Sequence, residues 1–131
     1  MKKDIKIPEP EGLYLAAVRT FNEELGENVW DIFLLNAGQN VKETMMIVLR
    51  GYSEDKKTSV MRKKLEALQP GSFGRLEFLR EELLDFRNEY LVTWFEGSVM
   101  YEKNFVLEPG QVSEEQIEWI ATLGMAGVLF S

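Results

Sequence analysis

The apolar positions of this chain recur with the two-residue period of strands more often than with the period of helices. In the first run Leu13, Leu15 and Ala17 lie on one side and Tyr14, Ala16 and Val18 on the other. A strand apolar on both faces is expected to be covered on both. A turn over 22–28, containing Gly26, leads to a second run over 29–35 that aligns Trp30, Ile32 and Leu34. Asn36-Ala37-Gly38-Gln39-Asn40 is a turn signal. The next run, 41–50, opposes Met45, Ile47 and Leu49 to Met46 and Val48. Three strands joined by short turns are expected to form an antiparallel meander.

Residues 51–59 are polar and charged and read as a loop, while 60–68 suits a strand or a helix equally. Over 73–86, Phe73, Leu76, Leu79, Leu83 and Phe86 fall on one helical stripe behind Ser72. Gly74 opposes a helix there, so the expectation is a strand over 73–79 followed by a short helical turn. The clearest signal is a hairpin, with runs 89–95 and 99–107 flanking Glu96-Gly97-Ser98. In its second strand Val99, Tyr101, Phe105 and Leu107 form a dry side, breached by Lys103, and Glu102, Asn104 and Glu108 a wet one. Ser113-Glu114-Glu115-Gln116 matches a capping box and predicts a short helix through Ile117 and Ile120. The fold class expected is mainly β: an antiparallel β-sandwich or open barrel with a short C-terminal helix. The alternative is α+β, an antiparallel sheet with a helix at about 73–86.

Composition narrows the chemistry more than the fold. The 131 residues suit a single domain, 1–131, with an extended N-terminal arm over 1–12 and an apolar C-terminal tail over 124–131. There is neither cysteine nor histidine. Disulfides, thiolate or imidazole metal sites, and Ser-His-Asp or Cys-His catalysis are therefore excluded. No cofactor is expected, and an enzyme is disfavoured because the usual general base is missing. The net charge of −7 disfavours extended contact with nucleic acid or an anionic membrane. No apolar run reaches the roughly 20 residues of a membrane span, and the start of the chain lacks the apolar core of a signal peptide. The expected location is the cytoplasm.

Several segments resemble a small family of uncharacterised bacterial proteins. They are Met1-Lys2-Lys3-Asp4-Ile5-Lys6-Ile7-Pro8, Lys57-Thr58-Ser59-Val60-Met61-Arg62, Pro70-Gly71-Ser72-Phe73, Asn88-Glu89-Tyr90, Tyr101-Glu102-Lys103-Asn104-Phe105 and Gly127-Val128-Leu129. Members of that family are sometimes labelled phenylalanyl-tRNA synthetase subunit. A synthetase catalytic core is several times longer, and no stretch here looks like its ATP-binding motifs. The resemblance therefore implies neither that activity nor any site residue.

Four groups of side chains are candidates for function. Arg50, Lys56, Lys57, Arg62, Lys63 and Lys64 place six of the 15 basic residues within positions 50–64, beside Tyr52. They could contact a partner or ligand, phosphates with Tyr52 stacking on a base, or simply guard a strand edge. Glu81, Glu82 and Asp85 cluster, but Arg80 and Arg87 flank them and the spacing is not that of a calcium loop. Trp30, Trp94, Trp119, Tyr90 and Tyr101 are expected to be core, where large rings supply much of the buried area. The apolar tail is expected to close the sheet or to pair with a second subunit as a homo-dimer. The leading expectation is a non-enzymatic module that binds a protein partner. The alternatives are a small-molecule site or enzyme with an aromatic and arginine pocket, and a weak nucleic-acid accessory role for residues 50–64.

Overall fold

The computed structural model describes residues 12–53 and 56–131, leaving the side chains of 53 and 56–59 aside. Apart from Gly12, the expected N-terminal arm lies outside the described residues. The chain forms β1 (Leu13–Asn22), β2 (Glu27–Asn36), β3 (Lys42–Ser53), β4 (Lys56–Leu68), β5 (Phe73–Arg80), β6 (Arg87–Glu96), β7 (Val99–Leu107), β8 (Glu118–Ile120) and β9 (Met125–Phe130). Two antiparallel sheets result, ordered β5-β2-β1-β9-β8 and β4-β3-β6-β7. This is a β-sandwich.

Alternation decides which face of each strand is buried. Leu13, Leu15 and Ala17 of β1 and Trp30, Ile32 and Leu34 of β2 face the other sheet. They meet Met45, Ile47 and Leu49 of β3, Tyr90, Val92 and Trp94 of β6, and Phe105 and Leu107 of β7. Each Leu, Ile, Val, Met or Phe among them stabilises the fold by roughly 1.5–3 kcal/mol relative to exposure. The second apolar face of β1 is also covered, as its sequence requires. Ala16, Val18 and Leu35 pack with Ile120, Leu123 and Met125 of the β8–β9 hairpin on the outside of the five-stranded sheet.

Four expectations are corrected. The first three strands are not a meander: β2 lies between β1 and β5, and β3 belongs to the other sheet. The apolar sides of β2 and β3 must face each other to be buried, so the 37–41 connection crosses between sheets. Asn36, fully buried, holds that crossing by donating to the Asn40 and Leu68 carbonyl oxygens at 2.9 and 2.8 Å. The loop expected over 51–59 is mostly strand, since β3 runs to Ser53 and β4 starts at Lys56. Polar side chains do not oppose strand pairing where a hairpin extends beyond the core.

The C-terminal helix is absent. Glu114–Gln116 makes a single 3-10 turn and Ser113 gives no side-chain cap. Few residues separate that turn from Gly124, too few to repay helix nucleation, and β-branched and aromatic residues there pair with β9 instead. Trp119, expected in the core, is 68% exposed on the edge strand β8. The strand over 73–79 is present as β5, followed by a 3-10 turn at Glu81–Asp85. The tail is β9, paired with β1 on one side and β8 on the other.

Candidate functional site

The outer face of the four-stranded sheet can be read row by row from its pairing register. One row carries Val60, Arg50, Glu89 and Val106; the next carries Arg62, Val48, Leu91 and Asn104. A third carries Lys64, Met46, Thr93 and Glu102, and a fourth Ala67, Glu43, Phe95 and Met100. Met46, Phe95 and Met100 are 41%, 37% and 56% exposed, as if awaiting cover. Val48 and Leu91, half-buried, fill the centre. The face thus carries Val48, Leu91, Met46 and Phe95 on its middle strands, Arg62 and Lys64 on the β4 rim and Glu102 on the β7 rim.

Elsewhere the exposed arginines are neutralised within the chain: Arg19 by Glu81 and Glu114, Arg75 by Asp31, and Arg80 by Glu27 and Glu82. Among the described residues Arg62, Lys64 and Glu102 have no ion-pair or hydrogen-bond partner. Glu89 is already engaged by Arg87 at 3.2 Å.

The structure brings part of the basic segment together. Arg50, Arg62 and Lys64 share the outer face, whereas Lys63 lies opposite Ile47 and points to the other side of β4. Tyr52 is under Arg87, whose guanidinium sits 4.5 Å from the ring centroid. The side chains of Lys56 and Lys57 lie outside the described residues. Sequence reasoning missed Met46, Phe95 and Met100 as surface residues, because an apolar residue in a strand reads as core unless its register is known. The alternation of β7 puts Glu102 on its wet side, but nothing in the sequence sets it in the same cross-sheet row as Lys64.

A second feature opens where the two sheets part, a cleft of about 210 Å³ between β3, β4, β5 and β6. Leu49, Met61, Phe78, Leu83 and Phe86 supply apolar lining, with Glu77 and Asn88 as polar members. Glu77 lies opposite inward-facing Ile32 and accepts a hydrogen bond from the fully buried Tyr90 hydroxyl at 2.6 Å. Burial pushes the Glu77 carboxyl up, partly offset by that bond, and burial beside Glu77 pushes Tyr90 well up. A raised folded value means stability is greatest below the ordinary pKa of 4.5 and declines as pH rises through the folded value. Glu77→Gln keeps an acceptor for Tyr90 without the charge. It is expected to melt at a higher temperature than the parent at pH 7 and at a similar one at pH 4, by thermal denaturation at both. A lower melting temperature at pH 7 would show that the ionised carboxylate is the stabilising form.

The third feature is a buried polar cluster at the end of the sandwich. Lys42, 1% exposed, reaches Glu96 Oε2 at 2.8 Å, an atom that Trp94 Nε1 also approaches at 2.9 Å. Asn40 donates to the other oxygen at 3.2 Å. Burial opposes the Glu96 carboxylate, but hydrogen bonds from Lys42, Trp94 and Asn40 together outweigh it and hold its pKa below the usual range. Trp94 stacks on Tyr101 at 5.7 Å between centroids. Lys103, the breach in the dry side, crosses to donate to the Leu13 carbonyl oxygen at 3.1 Å, and burial followed by nearby Lys42 lowers its pKa. These groups satisfy one another and tie the sheets together.

Among the described residues no three candidate ligands converge on a metal site, and no helix is long and apolar enough to cross a membrane. Glu81 and Glu82 are held by arginines, as the flanking charges suggested. Comparison with protein-family models, curated proteins and solved structures finds no match to this chain. The functional reading therefore rests on the geometry above.

Proposed function

We propose that this domain is a non-enzymatic docking module whose working surface is the outer face of the four-stranded sheet. One contrast carries the reading. On the outer face of the five-stranded sheet Ile120 and Leu123 bury Ala16, Val18 and Leu35, and the arginines are paired, Arg75 with Asp31 and Arg80 with Glu27. The outer face of the four-stranded sheet exposes Met46, Phe95 and Met100, and among the described residues its Arg62, Lys64 and Glu102 have no partner. Protein interfaces are built this way, with an apolar centre inside a polar rim. The lack of histidine and cysteine, and the mutual satisfaction of the buried polar cluster, favour binding over catalysis. A cysteine-free chain is in keeping with a reducing cytoplasm.

The test is paired capture from the native cell using the parent chain, Met46→Glu with Phe95→Glu, and a control Phe21→Glu in the β1–β2 region. Surface changes of this kind are expected to leave folding within about 0.5 kcal/mol of the parent. A protein held by the parent and the control but lost by the double variant supports the reading, and a second copy of this chain counts as such a protein. Equal retention by all three would overturn it.

A further inference from the structure

We infer that the occupant of this open face is a second copy of the chain, docked face to face about a twofold axis that runs along the strands. This rests on the docking-surface reading above and names the partner. A twofold interface must be self-complementary. Rotation about an axis along the strands, passing between β3 and β6, lays β4 of one copy over β7 of the other and keeps each row at its own height. Lys64 then meets the partner's Glu102 twice, because both stand in the row of Met46 and Thr93. Arg62 meets the partner's Asn104, and Val48 covers the partner's Leu91.

The other in-plane axis, perpendicular to the strands, would set β4 on β4 and bring Arg62 and Lys64 against their own copies. Charge thus selects one dyad from two. Sheets packed face to face keep their strands within about 30° of each other, so the central rows stay in register. Of the other exposed apolar side chains, Phe21 and Leu25 belong to the β1–β2 turn region and Trp119 to the edge of β8. Phe73, Phe78 and Leu129 stand on the outer face of the five-stranded sheet, where the charges are already paired, Arg75 with Asp31 and Arg80 with Glu27.

Four strands at about 4.8 Å spacing, eight residues long at about 3.3 Å each, present roughly 500 Å² per copy. That is below the roughly 800 Å² per partner of a standard interface. The dimer is therefore weak, salt-sensitive and dissociated by dilution.

Sedimentation equilibrium between about 10 μM and about 1 mM tests this, a range suited to a micromolar or weaker constant. The parent is expected to shift from monomer to dimer across that range. Lys64→Glu and Glu102→Lys should each weaken association by about tenfold or more, since two attractive pairs become repulsive. Mixing the two variants should restore it. In the mixed dimer the two reversed charges face each other at one contact, and the native Lys64 and Glu102 face each other at the other. Circular dichroism melts confirm that each variant is folded.

A dimer indifferent to both reversals would place the contact elsewhere, on the β4 edge or the tail, and overturn the inference. A parent chain monomeric at the highest concentration would also overturn it. Should such a monomer still capture another protein through Met46 and Phe95, the docking surface stands and self-association alone falls.

Discussion

Replacing Lys42 with alanine is expected to destabilise the fold by about 3–5 kcal/mol, the usual cost of removing one member of a buried ion pair. The loss has three sources. Glu96, only 14% exposed, keeps its charge while losing its closest cation. The Trp94 ring loses the ammonium that sits 5.5 Å from its centroid. The aliphatic stem of a side chain that is 1% exposed leaves a void between the sheets. For a chain of this size the melting temperature should fall by about 11–18 °C, measured by scanning calorimetry at pH 7.

A control separates the charge from the packing. Lys42→Met with Glu96→Gln fills the space and removes both charges, so it should recover much of the stability. The parent should also weaken on acidification in a way the double variant does not. A depressed carboxylate contributes stability above its ordinary pKa of 4.5, and that contribution is lost as pH falls through the folded value. If Lys42→Ala melted within a degree or two of the parent, the cluster would be a surface feature and not a tie between the sheets.

Gly127→Val is expected to cost about 3 kcal/mol, at the upper end for overpacking. Even the first carbon of a side chain there would lie 2.7 Å from the Ala17 carbonyl oxygen and 3.0 Å from Val18 Cγ2. The obstacle is backbone, so β9 must move away from β1. That movement also withdraws Ile120, whose Cδ1 is 3.3 Å from the same position, and opens the outer apolar cluster. The effect should be local first. Hydrogen exchange should accelerate over 118–130 while amides of β3 and β6 stay protected. Uniform loss of protection would mean that the C-terminal hairpin and the main core unfold as one unit.

The two predictions bear on residues whose importance was legible to different degrees. Val128 and its neighbours had to be buried because an apolar tail cannot remain in water, and β9 is the outcome. Gly127 carried no such signal, since its closeness to Ala17 arises only once β9 is placed beside β1. Lys42 looked like a solvated charge at a strand start. Its burial follows from a break in alternation: β3 gains an extra residue at Thr44, φ 50°, so Lys42 and Met45 both face inward. A bulge of this kind shifts every side chain beyond it to the opposite face and leaves little trace in composition.

The candidate surface divides along the same line. Its polar rim was visible as a basic concentration in 50–64 and a wet side of β7. That Arg62 and Lys64 belong to it while Lys63 does not is a consequence of the two-residue period combined with a register. The exposure of Met46, Phe95 and Met100 depends on whether another layer covers the sheet, which local sequence cannot state.

What the amino-acid order determined by itself is therefore the mainly β class, the 96–99 hairpin, the double coverage of β1, and the exclusion of histidine and cysteine chemistry. Those properties follow from residue types, spacing and turn residues within a few positions. The tertiary structure alone decided the division of strands between two sheets, the loss of the C-terminal helix to pairing with β9, and which apolar face was left open. Each of these is a competition between segments far apart in the chain, settled by which arrangement buries more apolar surface while satisfying the backbone.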